Sequence, residues 1–70
     1  MKYYRSITGA IYKLELTPRR FEAGEDWQLW HYSFLNKKWT YNNRMSSPEE
    51  VPRYFNYKEI SKAEAFIEIL

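Results

Sequence analysis

Between Trp27 and Leu35 the chain alternates with a period of two, and this run constrains the fold more than any other feature. Trp30, Tyr32 and Phe34 fall on one face of an extended segment and Leu29, His31, Ser33 and Leu35 on the other. That is the period of a β-strand, not of a helix. Asn36-Lys37 offers a two-residue turn, with Asn tolerating positive φ at the first central position. Folding back there pairs Leu35 with Lys38, Phe34 with Trp39 and Tyr32 with Tyr41. Rings then oppose rings across the strands, worth ~0.2–1 kcal/mol per pair over Ala–Ala. An antiparallel hairpin is predicted without any tertiary assumption.

The flanking sequence adds strands before the hairpin and a helix after it. Residues 3–8 and 11–17 read as two strands around Gly9-Ala10; in the second, Tyr12, Leu14 and Leu16 alternate with Lys13 and Glu15. Pro18 ends that run because it cannot donate to a ladder. Pro18 to Asp26 is polar and reads as a loop, anchored to the body of the protein by Phe21. Residues 42–47 break the alternation. Ser47-Pro48-Glu49-Glu50 has the form of a helix start, and Pro52 limits it to one turn by disfavouring the α conformation at Val51. Tyr57 to Ile60 can add a short edge strand. Ser61 and Glu64 form a second capping box, with Ile60 stapled to Ala65, and Ala63, Phe66, Ile67 and Leu70 make one apolar stripe at i, i+3, i+4 and i+7. The fold predicted is α+β: an antiparallel sheet of about four strands with one short C-terminal helix packed on one face.

Composition bounds the function. The chain has 70 residues and a mass of 8.6 kDa, which suits a single small α+β domain spanning 1–70, near the lower limit for a self-sufficient core. The absence of Cys excludes disulfides, thiolate metal sites and a thiol nucleophile. No apolar run reaches the ~18–20 residues of a membrane span, and MKYYRSITG does not read as a signal peptide, so a cytoplasmic, non-membrane location is expected. With 7 Tyr, 4 Phe and 3 Trp, aromatic residues are 20% of the chain, a supply that disordered chains lack.

No motif for chemistry emerges. His31 is the only histidine, with no orienting partner beside it in sequence. Glu25-Asp26 and Glu49-Glu50 lack the ligand spacing of a calcium loop, and Glu49-Glu50 is already explained by the dipole at a helix start. Gly-rich phosphate loops, nucleophile elbows and zinc-helix motifs are missing. The expectation is a chain with no catalytic residue, no metal and no cofactor.

Surface chemistry points elsewhere. Residues 1–44 hold eight cations against Glu15, Glu22, Glu25 and Asp26, an excess of +4, whereas residues 45–70 carry −2. One short helix cannot cover both faces of a sheet bearing so many rings, and surplus aromatic surface usually serves a partner. Trp, Tyr and Arg dominate protein interfaces. A protein partner is therefore predicted, bound through Trp39, Tyr41, Arg44, Tyr54 and Phe55, with Lys37 and Lys38 steering approach. The alternative is single-stranded RNA or DNA, with Arg5, Lys13, Lys37, Lys38 and Arg44 meeting phosphates and Tyr and Trp stacking on bases. A third course is homodimerisation through the open sheet face or an edge strand.

Tyr3-Tyr4-Arg5, Gly9-Ala10-Ile11-Tyr12, the Trp27–Trp39 hairpin and the Tyr57–Ala65 helix start occur in an order that resembles a loose pattern in small uncharacterised bacterial and phage proteins. The resemblance implies a compact α+β fold and, with the small size, a prokaryotic, phage or mobile-element origin; the role expected of the binding module is that of a small regulator or inhibitor. It implies no activity, cofactor or binding residue.

Overall fold

A computed structural model describes residues 1–70. Five strands, β1 (Lys2–Arg5), β2 (Ile11–Pro18), β3 (Glu25–Ser33), β4 (Lys38–Met45) and β5 (Lys58–Ile60), form one antiparallel sheet in the order β4-β3-β2-β1-β5. The helix α1 (Lys62–Ile69) follows β5. The α+β class, the antiparallel sheet and the single C-terminal helix are those predicted. The sheet has five strands instead of about four, because Lys58–Ile60 pairs fully with Tyr3–Arg5.

The first four strands make a meander. β1 is shorter than the 3–8 expected: Ser6 leaves the ladder to close a turn, its carbonyl accepting from the Gly9 amide at 3.0 Å and its hydroxyl from the Ala10 amide at 3.1 Å. Gly9 has φ +88°, a conformation that residues with a Cβ rarely adopt. In the next loop the Arg19 amide donates to the Gly24 carbonyl at 2.9 Å. Phe21 does not anchor this loop; it is 92% exposed, because six residues between the strands turn without reaching back to the core.

The β3–β4 hairpin forms, but two residues out of the predicted register. Ser33 pairs with Lys38, Tyr32 with Trp39 and Trp30 with Tyr41. The loop therefore has four residues, Phe34–Lys37, closed by the Lys37 amide on the Ser33 carbonyl at 2.7 Å and by the Asn36 amide on the Ser33 hydroxyl at 3.2 Å. Lys37, not Asn36, takes the left-handed conformation, with φ 56°. A shift of two keeps every side chain on its face. Ring still opposes ring, and Phe34 moves into the loop, where its edge meets Tyr32 at 5.2 Å. Phe34 is 48% exposed there, while Tyr32 on the same face is buried.

Residues 42–45 do not break the strand as expected. β4 continues to Met45 by absorbing Asn42 as a bulge, since Leu29 opposes Asn43 while Trp30 opposes Tyr41.

Both sheet faces are covered in part. On one, Tyr4, Leu14, Leu29 and Met45 pack with Val51, and Phe55 and Tyr57 close over them. The cover is the chain between β4 and β5, including a π-helical turn over Val51–Phe55. The Glu50 carboxylate accepts from the backbone amides of Ser46 and Ser47, the latter at 2.9 Å, as half of the predicted Ser47–Glu50 box would have it, but the N-cap of the turn is Glu50 and not Ser47. The turn does not stop before Pro52. Pro52 lies in its first turn, where a missing N–H has no intrahelical partner to lose, and Asn56 ends it at φ 55°.

On the other face α1 packs over Tyr3, Ile11, Tyr32 and Ile60 through Ala65, with Ile69 and Trp39 partly buried against them. Its capping box is present: the Ser61 hydroxyl accepts from the Glu64 amide at 3.1 Å and the Glu64 carboxylate from the Ser61 amide at 3.3 Å. Ile60 and Ala65 meet in one cluster as the staple requires. That contact turns Ala65 and Ile69 to the sheet, so the predicted stripe is not the buried one. Phe66 lies at the side, edge-on to Tyr3 at 5.9 Å, and Ile67 is 73% exposed.

Candidate binding surface

α1 covers only the β1 end of its face. Beyond it, the alternation and register of β2, β3 and β4 leave a strip formed by Lys13, Trp30, Trp39 and Tyr41. Lys13 is the centre: its Nζ lies 4.9 Å from the Trp39 ring centroid and 5.7 Å from that of Trp30. An ammonium over indole faces is attracted by the ring quadrupole. Its partner Glu15 is 3.9 Å away. Trp39 also meets Tyr32 at 5.2 Å, and Tyr41 stands edge-on to Trp30 at 5.6 Å. These contacts fix the rings while leaving Tyr41 49% exposed. The Trp30 indole N–H is buried without a hydrogen-bond partner in the protein.

The strip ends in an ionic group. Asp26 Oδ1 accepts from Arg19 Nε and Arg44 Nη2, both at 3.1 Å, tying β3 to the preceding loop and to β4. Beside it an open depression of ≈ 710 Å³ is lined by Thr17, Arg19, Arg20, Phe21, Asp26 and Gln28 among others.

Of the residues predicted to bind, Trp39, Tyr41 and Arg44 are thus brought onto one strip. Lys37 and Lys38 sit exposed at the hairpin end beside it, Lys38 pointing to the opposite face because it precedes Trp39 in an extended strand. Tyr54 and Phe55 are elsewhere, on the π-helical turn across the sheet. Tyr54 is 65% exposed, whereas Phe55 is half-buried and stacks on Tyr57 at 5.4 Å. Sequence reasoning did not join Trp30, Arg19 and Asp26 to this surface. Only the β2–β3 register brings Trp30 opposite Lys13, and no local pattern announces it.

The five cations of the nucleic-acid alternative are unequally free. Arg5 is bound to Glu68 at 3.2 Å, Lys13 to Glu15 and Arg44 to Asp26, while Lys37 and Lys38 have no carboxylate within 4 Å. His31 lies on the far face with its ring 5.2 Å from that of Tyr12. There Tyr12 stacks on Tyr57 at 4.4 Å. Burial, then the hydrogen bond to Tyr12, pushes the Tyr57 phenol up to about 12; burial, with Glu59 and Glu49 adding, does the same for Tyr4. Glu49 is held below the usual carboxylate range by hydrogen bonds to its own backbone amide and to Ser47. No three His, Asp or Glu side chains converge as a metal site, and no helix is long and apolar enough to cross a membrane.

No protein-family model, curated protein or solved structure matches the chain.

Proposed function

We propose that this protein is a non-catalytic binding module that acts through protein–protein contact at the strip of Lys13, Trp30, Trp39, Tyr41 and Arg44. The observation that carries the reading is the half-exposed Tyr41 in a set of rings held by edge contacts and a bridging lysine. Rigid, partly desolvated aromatic anchors with an arginine at the rim are the groups that supply most interface energy, and they bind with little further loss of side-chain freedom. A regulator or inhibitor role fits a module of this size.

Single-stranded nucleic acid is the second reading, favoured by Lys37 and Lys38, whose charges no carboxylate neutralises. Against it stands the pairing of Arg5, Lys13 and Arg44, since releasing each from its carboxylate offsets what a phosphate contact provides. Affinity capture from the source cell separates the two. The expected result is a protein whose retention is insensitive to nuclease. Retained material that nuclease releases would place the nucleic-acid reading first.

A further inference from the structure

We infer that the strip's partner binds as an extended acidic segment added as a sixth strand to the free edge of β4. The inference rests on the protein-contact reading and names the chemistry of the partner.

Three observations converge on this edge. β4 is the outermost strand of the sheet, with β3 its only strand neighbour, so along its eight residues the outward backbone N–H and C=O groups have no strand to pair with. Its residues are exposed or half-buried from Lys38 to Arg44, and only Met45 is buried. The third observation is charge. From Trp27 to Pro48 the sequence contains no Asp or Glu, while Lys37 and Lys38, beside and at the start of β4, have no carboxylate partner. The nearest carboxylate on the strip, Asp26, is already shared by Arg19 and Arg44. An added strand satisfies the donors and acceptors together, which a nucleic-acid backbone cannot do, and its acidic side chains meet Lys37 and Lys38 at the hairpin end. Alternate side chains of such a strand would also fall beside Trp39 and Tyr41, which project from β4 to the aromatic face.

The Asn42 bulge and Lys38 are also devices that protect a sheet edge from pairing. The experiment therefore has to show pairing itself. The labelled full chain is titrated, with amide shifts and hydrogen exchange as readouts, using a blocked peptide as long as β4 that alternates glutamate with valine. Parallel arms use the same peptide with lysine for glutamate, a version with proline at its centre, and oligothymidylate. The expected result is shifts along Lys38–Met45 and slowed exchange of the β4 amides that β3 leaves free, seen with the glutamate peptide alone. Equal responses to the glutamate and lysine peptides overturn the acidic partner. Shifts at the Trp30 and Tyr41 side chains without slowed β4 exchange, or no shifts at all, overturn strand addition, and capture of a protein that nuclease does not release still decides the protein-contact reading separately. β4 shifts with oligothymidylate but not with the peptide overturn the inference in favour of nucleic acid. Slowed β4 exchange that grows with protein concentration and needs no peptide overturns it in favour of a second copy of this chain.

Discussion

Leu14 and Leu29 are fully buried beneath the β4–β5 connection. Leu14→Ala is expected to cost ~2–5 kcal/mol, against a total stability of about 4–10 kcal/mol for a chain of this length. Ile67→Ala, on the outward side of α1, is expected to stay within about 0.5 kcal/mol. Denaturant unfolding of the two variants checks both values, and a large loss at Ile67 would restore the stripe predicted from its spacing. Two tyrosines make a pH prediction. The phenols of Tyr4 and Tyr57 are raised from 10.0 to about 12 in the folded protein, so the unfolded chain gives up these protons first. Their contribution is whole below pH 10 and is lost as pH rises toward about 12. The thermal midpoint is expected to fall across that window, and less steeply in Tyr57→Phe, as a melting series in pH would record. At this scale the sequence was informative at Leu14 and Tyr32, where alternation applied, but not at Ile11, which is fully buried although alternation puts it on the face of Lys13 and Glu15. It was misleading at Phe21, because hydrophobicity alone does not say whether a loop is long enough to bring a ring home.

The strands, the capping box and the staple were legible because each depends on residues a few positions apart. Register was not. Both the two-residue and the four-residue hairpin loop place rings opposite rings, so periodicity cannot separate them. The choice falls to the Ser33 hydroxyl and carbonyl, which close the longer loop. This gives an element-scale test. Lys37 is the one loop residue at positive φ, so Lys37→Gly is expected to be neutral or stabilising by up to about 1 kcal/mol, while Asn36→Gly brings no gain. Chemical denaturation of the pair distinguishes the registers, for a tight Asn36-Lys37 turn would reward glycine at both sites. The rotation of α1 was hidden for a related reason. Spacing identifies an apolar stripe, but the staple decides which residues approach the sheet, and it selects the small Ala65 with Ile69.

Across the whole molecule, the candidate binding surface follows from unequal cover. The connection between β4 and β5 covers part of one sheet face and α1 covers the β1 end of the other, so aromatic surface is left beside β4. Sequence alone established that such a surplus must exist. It could not locate it, because Tyr54 and Phe55 are as aromatic as Trp39 and Tyr41 and their separation across the sheet is a property of the topology. That separation makes the most direct test. Protein capture is repeated with Tyr41→Glu and with Tyr54→Glu, two exposed rings on opposite sides, each variant first shown to melt as the parent does. Loss of the partner from Tyr41→Glu with retention by Tyr54→Glu is the expected result. Retention by Tyr41→Glu, with loss from Tyr54→Glu, would move the binding surface to the π-helical turn and contradict the account.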